Sequence, residues 1–267
     1  MVIMVAPNGA RKSKRDHDAI PLTAIELADT AEACRDAGAC ALHLHVRDAD
    51  GRHTLDPQRY REALDAIHER VADELLLQVT TEAVGRYSPR EQIEVVRELV
   101  PAAVSLSVRE LAAAGEAVIA EFDRWMRDQD VLPQWILYSL EDLALLNDWI
   151  GRGVLSGASY PVLFVLGRYG PGLDATPAML EPFLDSFEGH SWMACAFGSS
   201  ETAIMRIVAD AGGHARIGFE NNLLDDRGMP AADNAALVRP LADYLDTSAR
   251  RPLATAARAR EILRPRW

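Results

Sequence analysis

Hydrophobic and polar positions alternate in two textures along the chain. Short runs dense in Val, Ile, Leu and aromatic residues are followed by longer stretches with apolar residues at helical spacing. The short runs predict strands over residues 2–6, 40–46, 74–81, 103–108, 134–139, 160–167, 192–198 and 215–220. Helix starts are signposted between them. Thr23 with Glu26, and Ser88 with Glu91, have capping-box spacing. Asp56-Pro57, Ser88-Pro89 and Thr176-Pro177 each set a capping oxygen before a proline suited to the first helical position. Gly38 and Gly151 stand where helices are expected to end. Strand–helix alternation repeated eight times predicts an α/β fold, a (β/α)8 TIM barrel forming a single domain over residues 1–267. The competing doubly wound sheet usually carries a glycine-rich turn after its first strand. Here that turn reads Ala6-Pro7-Asn8-Gly9-Ala10-Arg11, which lacks the pattern.

Charge narrows the partners. Twenty-eight basic against forty acidic side chains give a net charge of −12, poorly suited to coating a phosphate backbone. No apolar run reaches the ~20 residues of a membrane span. The N-terminus has its apolar part before its basic part, the reverse of a secretory signal, and reads as an opening strand. Cys34, Cys40 and Cys195 are odd in number, without metal-type spacing, and sit in apolar patterns. Reduced core thiols in a cytoplasmic protein are expected.

In such a barrel the chemistry lies at the C-terminal strand ends. The second strand ends His43-Leu44-His45-Val46-Arg47-Asp48. Period-two alternation sends His43, His45 and Arg47 inward, and two imidazoles at i and i+2 can converge on one metal ion. The plainer reading is a buried, hydrogen-bonded pair of histidines. On the last strand Arg216, Gly218 and Glu220 share a face, so Glu220 would complete a two-His, one-carboxylate site with an open position. A simple Arg216–Glu220 ion pair accounts for that face equally well. Gln78, Thr80 and Glu82 share an inward face, as do Ser105, Ser107 and Arg109. Their hydroxyls and guanidinium could orient a carboxylate. Gly198-Ser199-Ser200 opens a helix where free N–H groups favour an anion. The loop Gly167-Arg168-Tyr169-Gly170-Pro171-Gly172 allows close backbone approach to a ligand.

Several blocks, in order along the chain, carry a family resemblance. They are Ala6-Pro7-Asn8-Gly9-Ala10, Ile20-Pro21-Leu22-Thr23, His43-Leu44-His45-Val46-Arg47-Asp48, Thr54-Leu55-Asp56-Pro57, Gln78-Val79-Thr80-Thr81, Phe164-Val165-Leu166-Gly167 and the stretch from Gly212 to Asn222. In these the chain resembles the β-keto acid cleavage enzymes, whose founding activity is cleavage of 3-keto-5-aminohexanoate. The resemblance implies a TIM barrel, a homotetramer, and one zinc per subunit on His43, His45 and Glu220. It implies a transferase reaction in which a β-keto acid and acetyl-CoA give acetoacetate and a new acyl-CoA. In that scheme the keto acid binds zinc, loses its C2 proton, attacks the acetyl thioester, and releases acetoacetate after CoA migrates. Arg216 matches the family's catalytic arginine, and Thr80 lies near the hydroxyl residue that contacts the substrate carboxylate. Asn8, Arg11, Ser105, Ser107 and Gln134 are the expected substrate-binding residues.

The chain also departs from the family pattern. Asn221 stands where the family often has an Asp that, with the arginine, handles proton transfer, and an amide cannot take a proton at neutral pH. Arg11 and Gln134 align with the two Glu of members that use an amino-bearing substrate. Losing both carboxylates argues for a substrate without a cationic group, and Arg11 favours an anionic or neutral polar tail. Two alternatives share the same ligands: a class II aldolase-type or other metal-dependent lyase that does not use CoA, and a metabolite-binding barrel without turnover.

Overall fold

In a computed structural model, described for residues 1–170, 172–248 and 251–267, eight parallel strands close into a barrel. They are β1 (Ile3–Val5), β2 (Ala41–Leu44), β3 (Leu76–Thr80), β4 (Ala103–Ser107), β5 (Leu132–Leu137), β6 (Val162–Leu166), β7 (Trp192–Ala196) and β8 (His214–Ile217). Each strand pairs with its sequence neighbours, and β1 closes the ring by pairing with both β2 and β8. The outer layer holds α1 (Ala24–Asp36), α2 (Pro57–Val71), α3 (Pro89–Leu99), the short α4 (Val108–Leu111), α5 (Glu116–Asp128), α6 (Leu140–Gly151), α7 (Glu181–Ser186), α8 (Glu201–Asp210) and α9 (Asn234–Ser248), followed by α10 (Ala256–Ile262). No helix among the described residues is long and apolar enough to cross a membrane.

Strand alternation sorts the core into two layers. Leu42, Leu44, Val79, Leu106, Trp135 and Phe164 face the helices in one large apolar cluster. Val2, Met4, Leu76, Leu132, Leu163 and Met193 face the barrel axis in a second. Each such side chain contributes roughly 1.5–3 kcal/mol on burial. The second cluster is sealed from below by Ala259 and Leu263 of the C-terminal segment. That plug was not foreseen, because α10 is too short to show a helical period. All three cysteines are buried and unpaired.

The caps explain where helices begin. Thr23 and Ser88 make both bonds of a capping box with Glu26 and Glu91, and the Asp56 carboxylate accepts from Gln58 N–H. Thr176 is different. It makes no side-chain cap, and Pro177–Met179 forms one 3₁₀ turn before α7. Gly151 also differs from expectation: α6 runs through it, and the left-handed residue is Gly153, at φ +72°. β5 starts two residues early and includes Pro133. Pairing with β6 begins only at Trp135, so the missing proline N–H forfeits no ladder bond.

Two strand ends depart from the sequence reading in ways that shape the mouth. β2 stops at Leu44, and Val46–Arg47 instead pairs antiparallel with His53–Thr54. β8 stops at Ile217, and Gly218, at φ +139°, turns the chain inward. A Cβ on Gly218 would stand 2.5 Å from the Ala6 carbonyl oxygen, so only glycine fits. Glu220 therefore reaches the interior from a turn, held by its own N–H to Ala6 O at 3.0 Å, and not from strand alternation.

Candidate active site

His43, His45 and Glu220 meet at the C-terminal mouth of the barrel. His43 sits on β2, beside Gln78 of β3 in register. Its Nδ1 lies 2.8 Å from Gln78 Oε1, and Gln78 Nε2 donates to Gln134 Oε1 at 3.1 Å. That amide chain leaves Gln78 Oε1 as an acceptor, so His43 carries its proton on Nδ1 and turns the Nε2 lone pair to the mouth. His43 Nε2 and His45 Nε2 are 3.1 Å apart, and Glu220 Oε2 lies 3.7 and 3.5 Å from them. One ligand atom from each residue thus falls within 4.8 Å of the others. A tetrahedral ion with ~2.0 Å bonds separates its ligands by about 3.3 Å, close to these three edges. Glu220 Oε2 is also buried without a hydrogen-bond partner, the state expected of an atom reserved for a cation. The donor set fits a divalent metal.

The surrounding loops hold these three groups in place. Asn8 donates to His45 O at 2.9 Å and to Pro21 O at 3.0 Å, so its amide braces the mouth instead of facing a ligand. Arg47, expected to point into the mouth, is spent on the β1 loop: it donates to Ala10 O at 2.8 Å, Lys12 O at 3.0 Å and Gly9 O. The Glu220 carbonyl accepts from Lys12 Nζ at 2.8 Å and Tyr169 Oη at 2.8 Å. Burial lowers Lys12 to about 8. Gly9, at φ +59°, leaves room for the Glu220 side chain, since a Cβ there would meet Glu220 Cγ at 2.6 Å.

Electrostatics favour a charged carboxylate beside a neutral His43 imidazole. Burial alone would raise Glu220. The Arg216 guanidinium, 3.3 Å away, and His45 together overcome that and hold it well below the usual range. Burial, then Arg216, pushes His43 well below its ordinary value, leaving it able to ligate. Arg216 Nε and Nη1 are buried without partners, so two donors remain for a ligand.

The cavity above this cluster is lined by Thr80, Thr81, Glu82, Ser105, Ser107, Glu110, Ile136 and Tyr138 as well as the charged groups. The Ser105 and Ser107 hydroxyls are buried without partners. Gln134, expected to touch substrate, lies one layer down behind Gln78, and Ile136 occupies the wall above it. Arg109 turns out of the barrel to pair with Asp142 at 2.6 Å, because the chain enters α4 right after Ser107. Arg11 is exposed at the rim, its guanidinium 5.4 Å from the centre of the Tyr169 ring. Asn221 is buried with both side-chain polar atoms unpartnered, and does not line the cavity.

Two glycine loops serve the fold. A Cβ on Gly198 would meet Asp174 Cγ at 2.5 Å, and Glu201 at the start of α8 turns a carboxylate onto Gly218 N–H. Asp174 and the buried Glu201 side chain occupy the helix start where an anion was expected. Gly167, at φ +72°, lets its loop fold back onto Ala175, while Pro171 lies outside the described residues. Sequence reasoning missed Glu110, Tyr138, Lys12 and Glu201. Glu110 reaches the cavity from a helical turn and Tyr138 from beyond the end of β5, where strand parity gives no direction.

A closed parallel barrel with imidazoles, a carboxylate and a guanidinium at its mouth places the protein among the TIM-barrel enzymes. The chain belongs to the beta-keto acid cleavage enzyme family, whose model matches residues 1–264. It is 30% identical over 271 aligned residues to a 3-keto-5-aminohexanoate cleavage enzyme of Acetoanaerobium sticklandii, covering 98% of this chain and 97% of that one. It is 28% identical to a 3-oxoadipate:acetyl-CoA acetyltransferase of Cupriavidus necator, covering 98% and 94%. Among solved structures it is similar in fold to apo ObcA, with TM-score 0.68 and 15% identity, over 93% of this chain and 66% of that one.

Proposed function

We propose that the protein is a zinc-dependent acyltransferase that converts a β-keto acid and acetyl-CoA into acetoacetate and a new acyl-CoA. The observation that carries this reading is the convergence of His43 Nε2, His45 Nε2 and Glu220 Oε2 beside the unpartnered donors of Arg216. The names of the Cupriavidus and Acetoanaerobium relatives support the reaction class. When bound, zinc on these ligands supplies a Lewis acid that polarises the keto group and favours loss of the C2 proton.

The chain's own groups do the rest. Arg216 offers Nε and Nη1 to the oxygen on which negative charge develops. Thr80, Ser105 and Ser107 present hydroxyls to the substrate carboxylate. Asn8 and Gln134 support the ligands from behind. Asn221 holds the position of a proton carrier without being one. The cavity is only about 20 Å³, so the nucleotide of acetyl-CoA stays outside and a short keto acid enters as the lining side chains give way. Glu82 and Glu110 disfavour a second negative charge beside the substrate carboxylate, so an anionic substrate tail ends at the rim, at Arg11. The buried free cysteines support a cytoplasmic setting, and family resemblance supports a homotetramer.

The test is a panel of β-keto acids with acetyl-CoA, read by mass spectrometry for acetoacetate and acyl-CoA, beside metal analysis of wild type, His43→Ala and Glu220→Ala. Zinc-bearing wild type that forms acyl-CoA, with both variants metal-free and inactive, supports the proposal. Cleavage without CoA-ester formation points instead to an aldolase-type lyase. Metal retained with no turnover on any acid points to a binding protein.

A further inference from the structure

Glu82 follows β3 at the cavity wall, and its backbone is fixed on both sides. Its N–H donates to Thr80 Oγ1 at 3.1 Å, and its carbonyl oxygen accepts from His53 Nε2 at 2.9 Å. The His53 ring in turn packs against the His45 ring, centroids 5.1 Å apart and tilted by 57°. Glu82 is thereby brought to His45 by an element, the Val46–Arg47/His53–Thr54 hairpin, that lies outside the barrel sheet.

His45 has one ring nitrogen without a partner. Nε2 faces His43 and Glu220, whereas Nδ1 is buried and makes no hydrogen bond. An imidazole that ligates through Nε2 must carry its proton on Nδ1, and a buried N–H needs an acceptor. Glu82 Oε2 lies 3.9 Å from that nitrogen. A side-chain rotation of about 1 Å closes that gap to hydrogen-bond distance.

We infer that Glu82 is a positioning residue for the metal ligand His45, taking its Nδ1–H so that Nε2 is held toward the ion. The inference rests on the metal reading above. It makes the two histidines unequal: His43 is steered by the neutral amide of Gln78, His45 by a carboxylate side chain. A side chain on the cavity wall thus acts through a ligand.

The test compares zinc affinity by chelating-dye competition in wild type, Glu82→Ala and Glu82→Gln, each confirmed folded by circular dichroism. Visible spectra of the cobalt-loaded proteins are recorded alongside. Glu82→Ala is expected to bind zinc about 10–100-fold more weakly and to shift the cobalt bands. Glu82→Gln, which keeps an acceptor oxygen, is expected to recover most of the affinity. Equal affinity in wild type and Glu82→Ala, or a glutamine variant as weak as alanine, overturns the inference while leaving the metal site intact. Wild type that binds no zinc sinks the metal reading itself.

Discussion

Replacing Arg216 with Met isolates the charge logic of the site. Arg216 Nη2 lies 3.3 Å from Glu220 Oε1, with side chains 4% and 9% exposed. At an effective dielectric constant near 20 that separation corresponds to about 5 kcal/mol of attraction, set against the cost of desolvating both groups. Arg216→Met leaves Glu220 buried without its main cation, which costs about 3–5 kcal/mol. For a chain of this size that lowers the melting temperature by roughly 6–20 °C. The double variant Arg216→Met/Glu220→Leu removes both charges, and its stability is expected to return to within about 1 kcal/mol of wild type. Urea unfolding in the presence of a chelator reads the pair alone. With zinc added, Arg216→Met should gain more stability than wild type, because the ion replaces the guanidinium as partner and no longer meets its repulsion. Its kcat is expected to fall about 10²–10³-fold. A single variant as stable as wild type in chelator, or a double variant no better than the single, would refute the reasoning.

Four further outcomes follow from the geometry. Gly9→Ala forces a side chain at φ +59° onto Glu220 Cγ, so zinc affinity by dye competition should drop at least ~10-fold with a stability loss of about 1–3 kcal/mol. Glu201 is pushed by burial from 4.5 up to about 8. Because that value is raised, the stabilising contribution of this one group is complete below pH 4.5 and is lost as pH rises toward 8, on the order of 4–5 kcal/mol, so Glu201→Gln should flatten the denaturation profile across that window. Asn221→Asp restores a group able to carry a proton and should raise kcat at least ~10-fold on the best keto acid; an unchanged kcat would show that proton transfer does not run through this position. Arg11→Glu should raise KM for a dicarboxylic keto acid about 10-fold and leave a short neutral-tailed acid unaffected, since only a long tail reaches the rim.

The barrel was legible because its strands are buried on both faces and its helices on one, so hydrophobic spacing alone separates them. The three candidate metal ligands were legible for a less secure reason. His43 is placed by strand alternation. His45 lies just past the end of β2, and Glu220 lies in a turn after Gly218, so parity pointed the right way although the strand had already ended. Parity failed where it was trusted one step too far: Arg47 turned to the β1 loop and Arg109 to Asp142. Glu110, Lys12 and Glu201 were invisible because their approach depends on how loops from different strands stack, which no local period encodes.

The contrast between what braces the site and what lines it bears on how the enzyme can vary. The metal-type cluster is fixed by backbone-directed devices: Asn8 on His45 O, Lys12 and Tyr169 on Glu220 O, Gly9 and Gly218 leaving space beside them. A change in any of these moves a ligand. The cavity wall is another matter. The Ser105 and Ser107 hydroxyls bond nothing, and Ile136 presents only apolar surface. These can be exchanged without disturbing His43, His45 or Glu220, so substrate choice can drift while the chemistry stays in place. Glu82 is the exception, since it faces the cavity and His45 at once. A substitution there is therefore expected to alter acid preference and metal affinity together, whereas substitutions at Ser105, Ser107 or Ile136 alter acid preference alone.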